Sequence, residues 1–399
     1  MDSVFSWLDS SEDDRRRAMD VIDLLRQKET VDELGLGSVR DTIADFLSPG
    51  TSTVQRRARY FFFIPWIYKE INRTIAGTSA ITARARQAEI NLIDVLASSS
   101  DSTGTIGIDA RAGLKRLPSM IYWSGLGRLG FRLFPGSQDQ YHRLLTRRSA
   151  VPEFDETGDI NLDAGLTRHW HPQLPAAPVG FPKNASFELR KPEATFFLEQ
   201  LRIHAPDSLM LFLVERGQLV ADVDFPWELP SVAQAPARLR SWLHDGQIYS
   251  ELMVGAAYLY NLMLAQQLPS EQLTTVYEKA LADWATQMVS HAGSYKAWNR
   301  PAFWEQLRRL NPRLPMAAQV FSDQWMTLVL AGDAANLKSV PTARALITER
   351  ERSLKRSRAR LANREQLILW GGASGAAQLD YRWGITKVVV NDIVSALRG

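Results

Sequence analysis

The chain has 399 residues, 45% of them hydrophobic, and a formal net charge of only +3. That length can bury a large core and predicts two or three domains, while the small charge excess excludes a histone-like polycation. There is no cysteine, which excludes disulfides, cysteine nucleophiles and thiolate metal sites.

The chain opens Met1-Asp-Ser-Val-Phe-Ser-Trp, with no basic stretch running into an apolar one, so no secretory leader is expected. Ser10 or Ser11 caps a helix beginning at Glu12, whose buried stripe is Met19, Ile22 and Leu25, or their neighbours Val21 and Leu24. Gly35 and Gly37 break the chain, Ser38 caps a short helix to Leu47, and Ser48-Pro-Gly ends it. A third helix starts at Thr51 or Thr53 and carries a knot of cations, Arg56, Arg57 and Arg59, followed by the aromatic run 60–68. Pro65 lies inside this run and is expected to end or kink the helix near Ile64. Phe61, Phe62 and Trp66 are expected in the core, because a run apolar on all sides has no solvent face.

A helix over 82–97 and a loop over 98–104 follow. The same grammar then returns: Lys115 and Arg116 precede an aromatic run that closes on Arg128, in a helix expected to end at Gly130. A short helix over 109–116, a turn at Leu117 and Pro118, and a helix capped by Ser119 have helix-turn-helix spacing. The segment 119–131 resembles the recognition half of bacterial winged-helix domains in Ser119, Ile121, Tyr122, Leu126, Leu129 and Gly130. It departs from that pattern at Gly125 and Gly127, each of which weakens a helix by about 1 kcal/mol. The bland alternative is an ordinary buried helix pair.

Residues 151–190 are rich in proline and glycine and read as a connector. Beyond them the pattern is helical over 193–204, 207–216, 236–265, 270–291, 303–310, 341–363 and 386–397. The apolar stretch 252–265 is shorter than the roughly 20 residues a membrane span needs. Leu219 to Val223 is the best strand candidate. The expected organisation is a helical domain over 1–150, a connector over 151–190 and a second helical domain over 191–399: a mainly α, multi-helical fold with a candidate helix-turn-helix or winged-helix element near 105–134.

Charge is unevenly placed. Residues 101–150 hold eight Lys/Arg against three Asp, and residues 344–364 hold eight Lys/Arg against two Glu. On a helix over 341–363, Ile347, Leu354 and Leu361 make an apolar seam, and Arg352, Lys355, Arg356 and Arg360 project opposite it. Such a face suits a phosphate backbone, or it is simply solvated. His169 and His171 invite a metal, but no recognised ligand spacing completes the set, and no metal or cofactor is expected. No phosphate loop, nucleophile elbow or nuclease carboxylate cluster is present.

Three segments, 5–25, 33–60 and 373–383, together resemble an uncharacterised bacterial family classed only as a domain of unknown function. The resemblance spans most of the chain. It implies a neighbourhood of helicases and nucleases of the kind found in antiviral defence, and carries over no functional residue. The leading expectation is therefore a cytoplasmic, non-enzymatic nucleic-acid-binding or adaptor subunit of a defence complex. Its partners would be DNA and a helicase or nuclease, with no membrane. Arg56, Arg57, Arg59, Lys115, Arg116, Arg128, Arg352, Lys355, Arg356 and Arg360 would hold the nucleic acid. The alternatives are a helical scaffold that binds only proteins, and an enzyme with dispersed residues that include His169 and His171.

Overall fold

A computed structural model describes residues 32–73, 78–148, 169–268, 270–331 and 334–399. The helix expected over 12–25 lies outside the described residues, as do positions 151–168 of the connector with Asp155, Glu156, Asp159 and Asp163. The fold is all-α. Among the described residues there are fifteen α-helices and no strand. The chain divides into two compact units. One comprises Met1–Ile43 with Ser241–Leu379, and the other Ala44–Arg240 with Asp380–Gly399.

The second unit is organised around an aromatic helix. The helices in and leading into it are α1 (Gly37–Leu47), α2 (Tyr60–Arg73), α3 (Thr78–Ala97), α4 (Pro118–Arg128), α5 (Gln138–Arg148), α6 (Lys191–His204) and α7 (Leu209–Glu215). The first turn of α2 has no solvent face: Tyr60, Phe61, Phe62 and Phe63 are each 0% exposed, and Trp66 is 3% exposed. Phe61 and Phe62 pack on Phe131 and Phe197, with ring centroids 5.1–6.3 Å apart. These offset and edge-on geometries are the ones aromatic quadrupoles favour.

Pro65 neither ends nor breaks α2. The helix begins at Tyr60 rather than at Thr51 or Thr53, so the proline stands near its start. Only the bond to the Phe61 carbonyl is forgone, and packing on every side compensates. The start of α1 also differs from expectation. Asp32, not Ser38, caps it, accepting the Leu36 and Gly37 amides at 2.7 and 2.6 Å.

The expected strand at 219–223 is an extended segment without a ladder. Two of its backbone groups pair with the last helix, α15 (Trp383–Arg398). The Val220 amide donates to Asn391 Oδ1, and the Val223 carbonyl accepts from Trp383 Nε1 and Lys387 Nζ. With those groups paired, no neighbouring strand is needed.

The first unit is built on α8 (Ala237–Gln267), which is buried almost all round from Trp242 to Ala265. Around it lie α9 (Glu271–Ser290), α10 (Ala292–Ala297), α11 (Arg300–Leu310), α12 (Met316–Leu330), α13 (Pro341–Lys355) and α14 (Arg364–Ile368). Trp284 and Trp325 send their indole N–H groups to the α8 carbonyls of Glu251 and Leu252, at 2.8 Å each. Gly255 permits this approach, since a Cβ there would meet the Trp284 ring at 2.3 Å. Helices α5, α10, α12 and α14 lie outside the expected elements. Among the described residues no helix is long and apolar enough to cross a membrane.

Candidate nucleic-acid interface

The expected cations meet three different fates. Arg59 is buried at 4% exposure. Its guanidinium forks onto Glu193, Nε to Oε2 at 3.0 Å and Nη2 to Oε1 at 3.2 Å, and Nη1 donates to the Ser186 carbonyl. Glu193 also accepts the Arg190 amide and so caps α6. Arg57 lies over the Phe187 ring and donates to Asp392 at 3.1 Å and Asp101 at 2.6 Å. Burial works against its charge, but hydrogen bonds and charge from Asp392 and Asp101 prevail and hold the guanidinium above its ordinary value. Neither group is available to a phosphate. Arg56, between Gln55 and these two, stays exposed, with Nη1 on the Thr53 and Gln55 carbonyls.

The C-terminal basic face does not exist as expected. Helix α13 stops at Lys355, and Arg356 takes a left-handed φ of 53°. The cause is Glu351, fully buried, whose carboxylate accepts the amides of Arg360 and Leu361 at 2.8 and 2.9 Å and turns the chain back. Lys355 pairs with Glu33 and Glu351, and Arg360 donates to Glu33 at 2.9 Å and to Ser374 at 2.6 Å. Arg352 stays exposed beside Glu349, Arg356 is exposed, and Leu354, expected in an apolar seam, is 43% exposed.

The helix-turn-helix expectation is overturned. The first helix is a single 3-10 turn, Arg111–Gly113. The edge expected to read bases is covered: Ser119 and Tyr122 are each 0% exposed. The Tyr122 hydroxyl accepts the Arg56 amide at 2.8 Å and donates to the Arg57 carbonyl at 3.0 Å. Gly125 is explained by the same packing, since a Cβ there would sit 2.2 Å from the Gly50 carbonyl oxygen. Ile121, Leu126 and Leu129 do face inward as expected.

What remains is the solvent edge of α4. Lys115 and Arg116 are exposed just before it, and Met120, Ser124 and Arg128 are exposed along it at four-residue spacing. Arg128 touches the His204 carbonyl at 3.3 Å.

Two side chains of α3 hold this edge in place. Arg86 donates to the carbonyls of Leu114 and Ala112, at 2.9 and 2.6 Å. Glu89, one turn on, accepts the Ser119 amide at 2.8 Å and its hydroxyl at 2.6 Å. A cation thus grips the carbonyls of the turn and a carboxylate grips the first amides of the helix. The hydrogen bonds continue inward. Gln138 Nε2 donates to Ser119 Oγ and to the Tyr68 hydroxyl, each at 2.7 Å, and that hydroxyl meets His142 Nε2 at 2.8 Å. His142 Nδ1 then meets Thr82 Oγ1 at 3.1 Å. Burial pushes the Glu89 carboxyl up to about 7, against the Ser119 hydrogen bonds and the Arg86 charge, and burial holds His142 below its ordinary value.

The chain belongs to a family of unknown function, DUF6361. The family's model matches residues 2–396. No curated protein and no solved structure matches the chain.

The histidines of the connector are structural in their visible contacts. The His169 carbonyl accepts the Leu133 amide at 2.8 Å, and the His171 amide donates to the Phe131 carbonyl at 3.0 Å. Their rings pack edge-on against Tyr141 and Phe196, respectively. Among the described residues no group of three or more His, Asp or Glu could hold a metal ion. Glu89, Glu193 and Asp392 are the side chains that sequence reasoning missed. Only Glu193 carries a local signal, as the third residue of its helix after Lys191 and Pro192.

Proposed function

We propose that this member of the family is a non-enzymatic nucleic-acid-binding subunit that contacts phosphates along the solvent edge of α4. One observation carries the reading: Lys115, Arg116 and Arg128 remain in water at the two ends of one helix edge, while the neighbouring cations enter ion pairs. The edge rises about 15 Å over the eleven residues of α4. Duplex DNA places a phosphate every 3.4 Å along each strand, so the two ends can hold phosphates of one strand several nucleotides apart. Pre-ordering of the turn by Arg86 and Glu89 lowers the entropic cost of that contact. Arg56 adds a cation where the preceding loop crosses Tyr122. Because the would-be reading edge is buried, binding is expected to depend on the backbone and not on base sequence.

The resemblance to a family found beside helicases and nucleases supports DNA as the ligand and an antiviral complex in the bacterial cytoplasm as the setting. A protein-only scaffold is the second reading, favoured by the internal pairing of Arg57, Arg59, Lys355 and Arg360. Mobility-shift titrations against single- and double-stranded DNA across a salt series separate the two. Four phosphate contacts give a slope of log affinity on log salt of about −3.6 for duplex and about −2.8 for single strands. Reversing Lys115, Arg116 and Arg128 to glutamate should flatten the duplex slope by about 2.7. Absence of salt-dependent binding by the intact protein would leave the scaffold.

A further inference from the structure

The hydrogen bonds behind the α4 edge form one continuous string that leaves α3 at Glu89 and returns to the same face of α3 at Thr82, two turns earlier. Its donors have a definite sense. Gln138 gives one amide hydrogen to Ser119 Oγ, whose own hydrogen goes to Glu89 Oε1. The other amide hydrogen goes to the Tyr68 oxygen. The Tyr68 hydrogen is then left for His142 Nε2, so the ring carries its proton on Nδ1, toward Thr82 Oγ1. Donors thus point away from Gln138 in both directions.

The charge on Glu89 imposes this sense. Its side chain is 1% exposed. Arg86, on its own helix, is spent on the carbonyls of Leu114 and Ala112, so hydrogen bonds from Ser119 hold the carboxylate rather than an ion pair. The other titratable groups facing it are Tyr60 and Tyr68 of α2. Beyond Gln138 lies His142 of α5, whose ring feels Asp139. A buried carboxylate without an ion pair gains from taking up a proton.

That proton can be received without breaking the string. Glu89 O–H then donates to Ser119 Oγ. If the Gln138 amide turns over, its oxygen accepts from both Ser119 and Tyr68, which its nitrogen now serves at 2.7 Å each. Tyr68 in turn accepts from His142 Nε2–H, and Nδ1 accepts from Thr82. Each contact survives with its sense reversed, and donors point toward Gln138 from both ends. One proton enters at Glu89, while His142 exchanges an Nδ1 proton for one on Nε2 and stays neutral. We propose that this string is a proton-operated switch: protonation of Glu89 turns over the Gln138 amide, moves His142 from the Nδ1–H to the Nε2–H form, and replaces the charged cap of α4 by a neutral one. Burial pushes the Glu89 carboxyl up to about 7, which sets the changeover there, and burial also keeps His142 neutral through it. A charged acceptor holds the Ser119 amide more firmly than a neutral one, so the start of α4 is tighter above the changeover. Any effect on phosphate contact at Lys115 and Arg116 rests on the nucleic-acid reading; the switch itself does not.

The test is nitrogen NMR of the full chain with labelled histidine, which tells the two neutral ring forms apart, from about pH 6 to about pH 8.5. Wild-type His142 should pass from Nε2–H to Nδ1–H as pH rises through the changeover. Glu89→Gln copies the neutral acid, since its amide can donate to Ser119 Oγ, and should hold His142 in the Nε2–H form at every pH. Gln138→Leu cuts the string and should leave a ring whose form no longer depends on pH, in a protein that still melts cooperatively. The protection factor of the Ser119 amide in wild type should fall about fivefold below the changeover, as for a weakened helix cap. A His142 ring that keeps one form across the range in wild type, or one that still switches in Glu89→Gln or Gln138→Leu, would overturn the proposal. These readouts need no DNA, so failure of the nucleic-acid reading leaves them intact.

Discussion

The segments 55–68 and 114–128 share one grammar, cations followed by aromatics, yet their cations end in opposite places. In the first, the aromatic helix is buried on every side from its opening residue. The arginines that lead into it are drawn inward, and carboxylates from far along the chain receive them: Asp392 takes Arg57 and Glu193 takes Arg59. In the second, the helix is buried on one side only. Met120, Ser124 and Arg128 keep a solvent edge, and Lys115 and Arg116 stay on it. A cation next to an aromatic run is therefore no guide to phosphate binding by itself. What decides is whether the helix it flanks retains a face toward water.

The contrast can be broken most forcefully at Glu193. Replacing it with alanine leaves Arg59 buried without its partner, and should destabilise the protein by about 3–5 kcal/mol in denaturant unfolding. A mutant that unfolds like wild type would mean that Arg59 reaches solvent after all. Next in size is the pair Phe62→Ala and Met120→Ala. The first removes a fully buried ring and should cost about 3–5 kcal/mol. The second removes an exposed side chain and should stay within about 0.5 kcal/mol.

A smaller effect concerns pH. Glu89 titrates near 7 in the folded protein against an ordinary value of 4.5, with burial the main cause. Between those values the folded state holds a proton that the unfolded state has lost, so this group's contribution to stability falls as pH rises through the window. Glu89→Gln should flatten that part of the stability–pH curve, and hydrogen exchange at Ser119 should follow it. An unchanged curve would mean the carboxyl is solvated. The smallest expected change in stability is at the second cation pair. Lys115→Glu with Arg116→Glu should leave the melting temperature nearly unchanged while reducing the salt dependence of DNA binding. A large loss of stability would show these groups to be as embedded as Arg57.

Much of this was open to inspection in the residues. The aromatic run announced a helix without a solvent side, and Phe61, Phe62 and Trp66 are core for that reason. Ile121, Leu126 and Leu129 follow a spacing that puts them inward. The all-helical class follows from the scarcity of alternating segments, and the candidate strand at 219–223 failed because Asn391, Trp383 and Lys387 supply the hydrogen bonds a neighbouring strand would have given. The end of α13 was less accessible. Nothing local marks Lys355 as its last residue; the chain turns because one buried carboxylate, Glu351, captures two amides beyond it.

Sequence alone determined the helical class, the aromatic core and the positions of the cations along the chain, because these depend on neighbours within a few residues. Tertiary structure alone decided which cations are spent on the fold. The carboxylates that bind Arg57, Arg59 and Arg360 lie 335, 134 and 327 residues away. Spacing within a helix carries no information across such distances. Only the packed chain brings those charges within hydrogen-bonding reach, and burial then makes each pair a requirement of the fold.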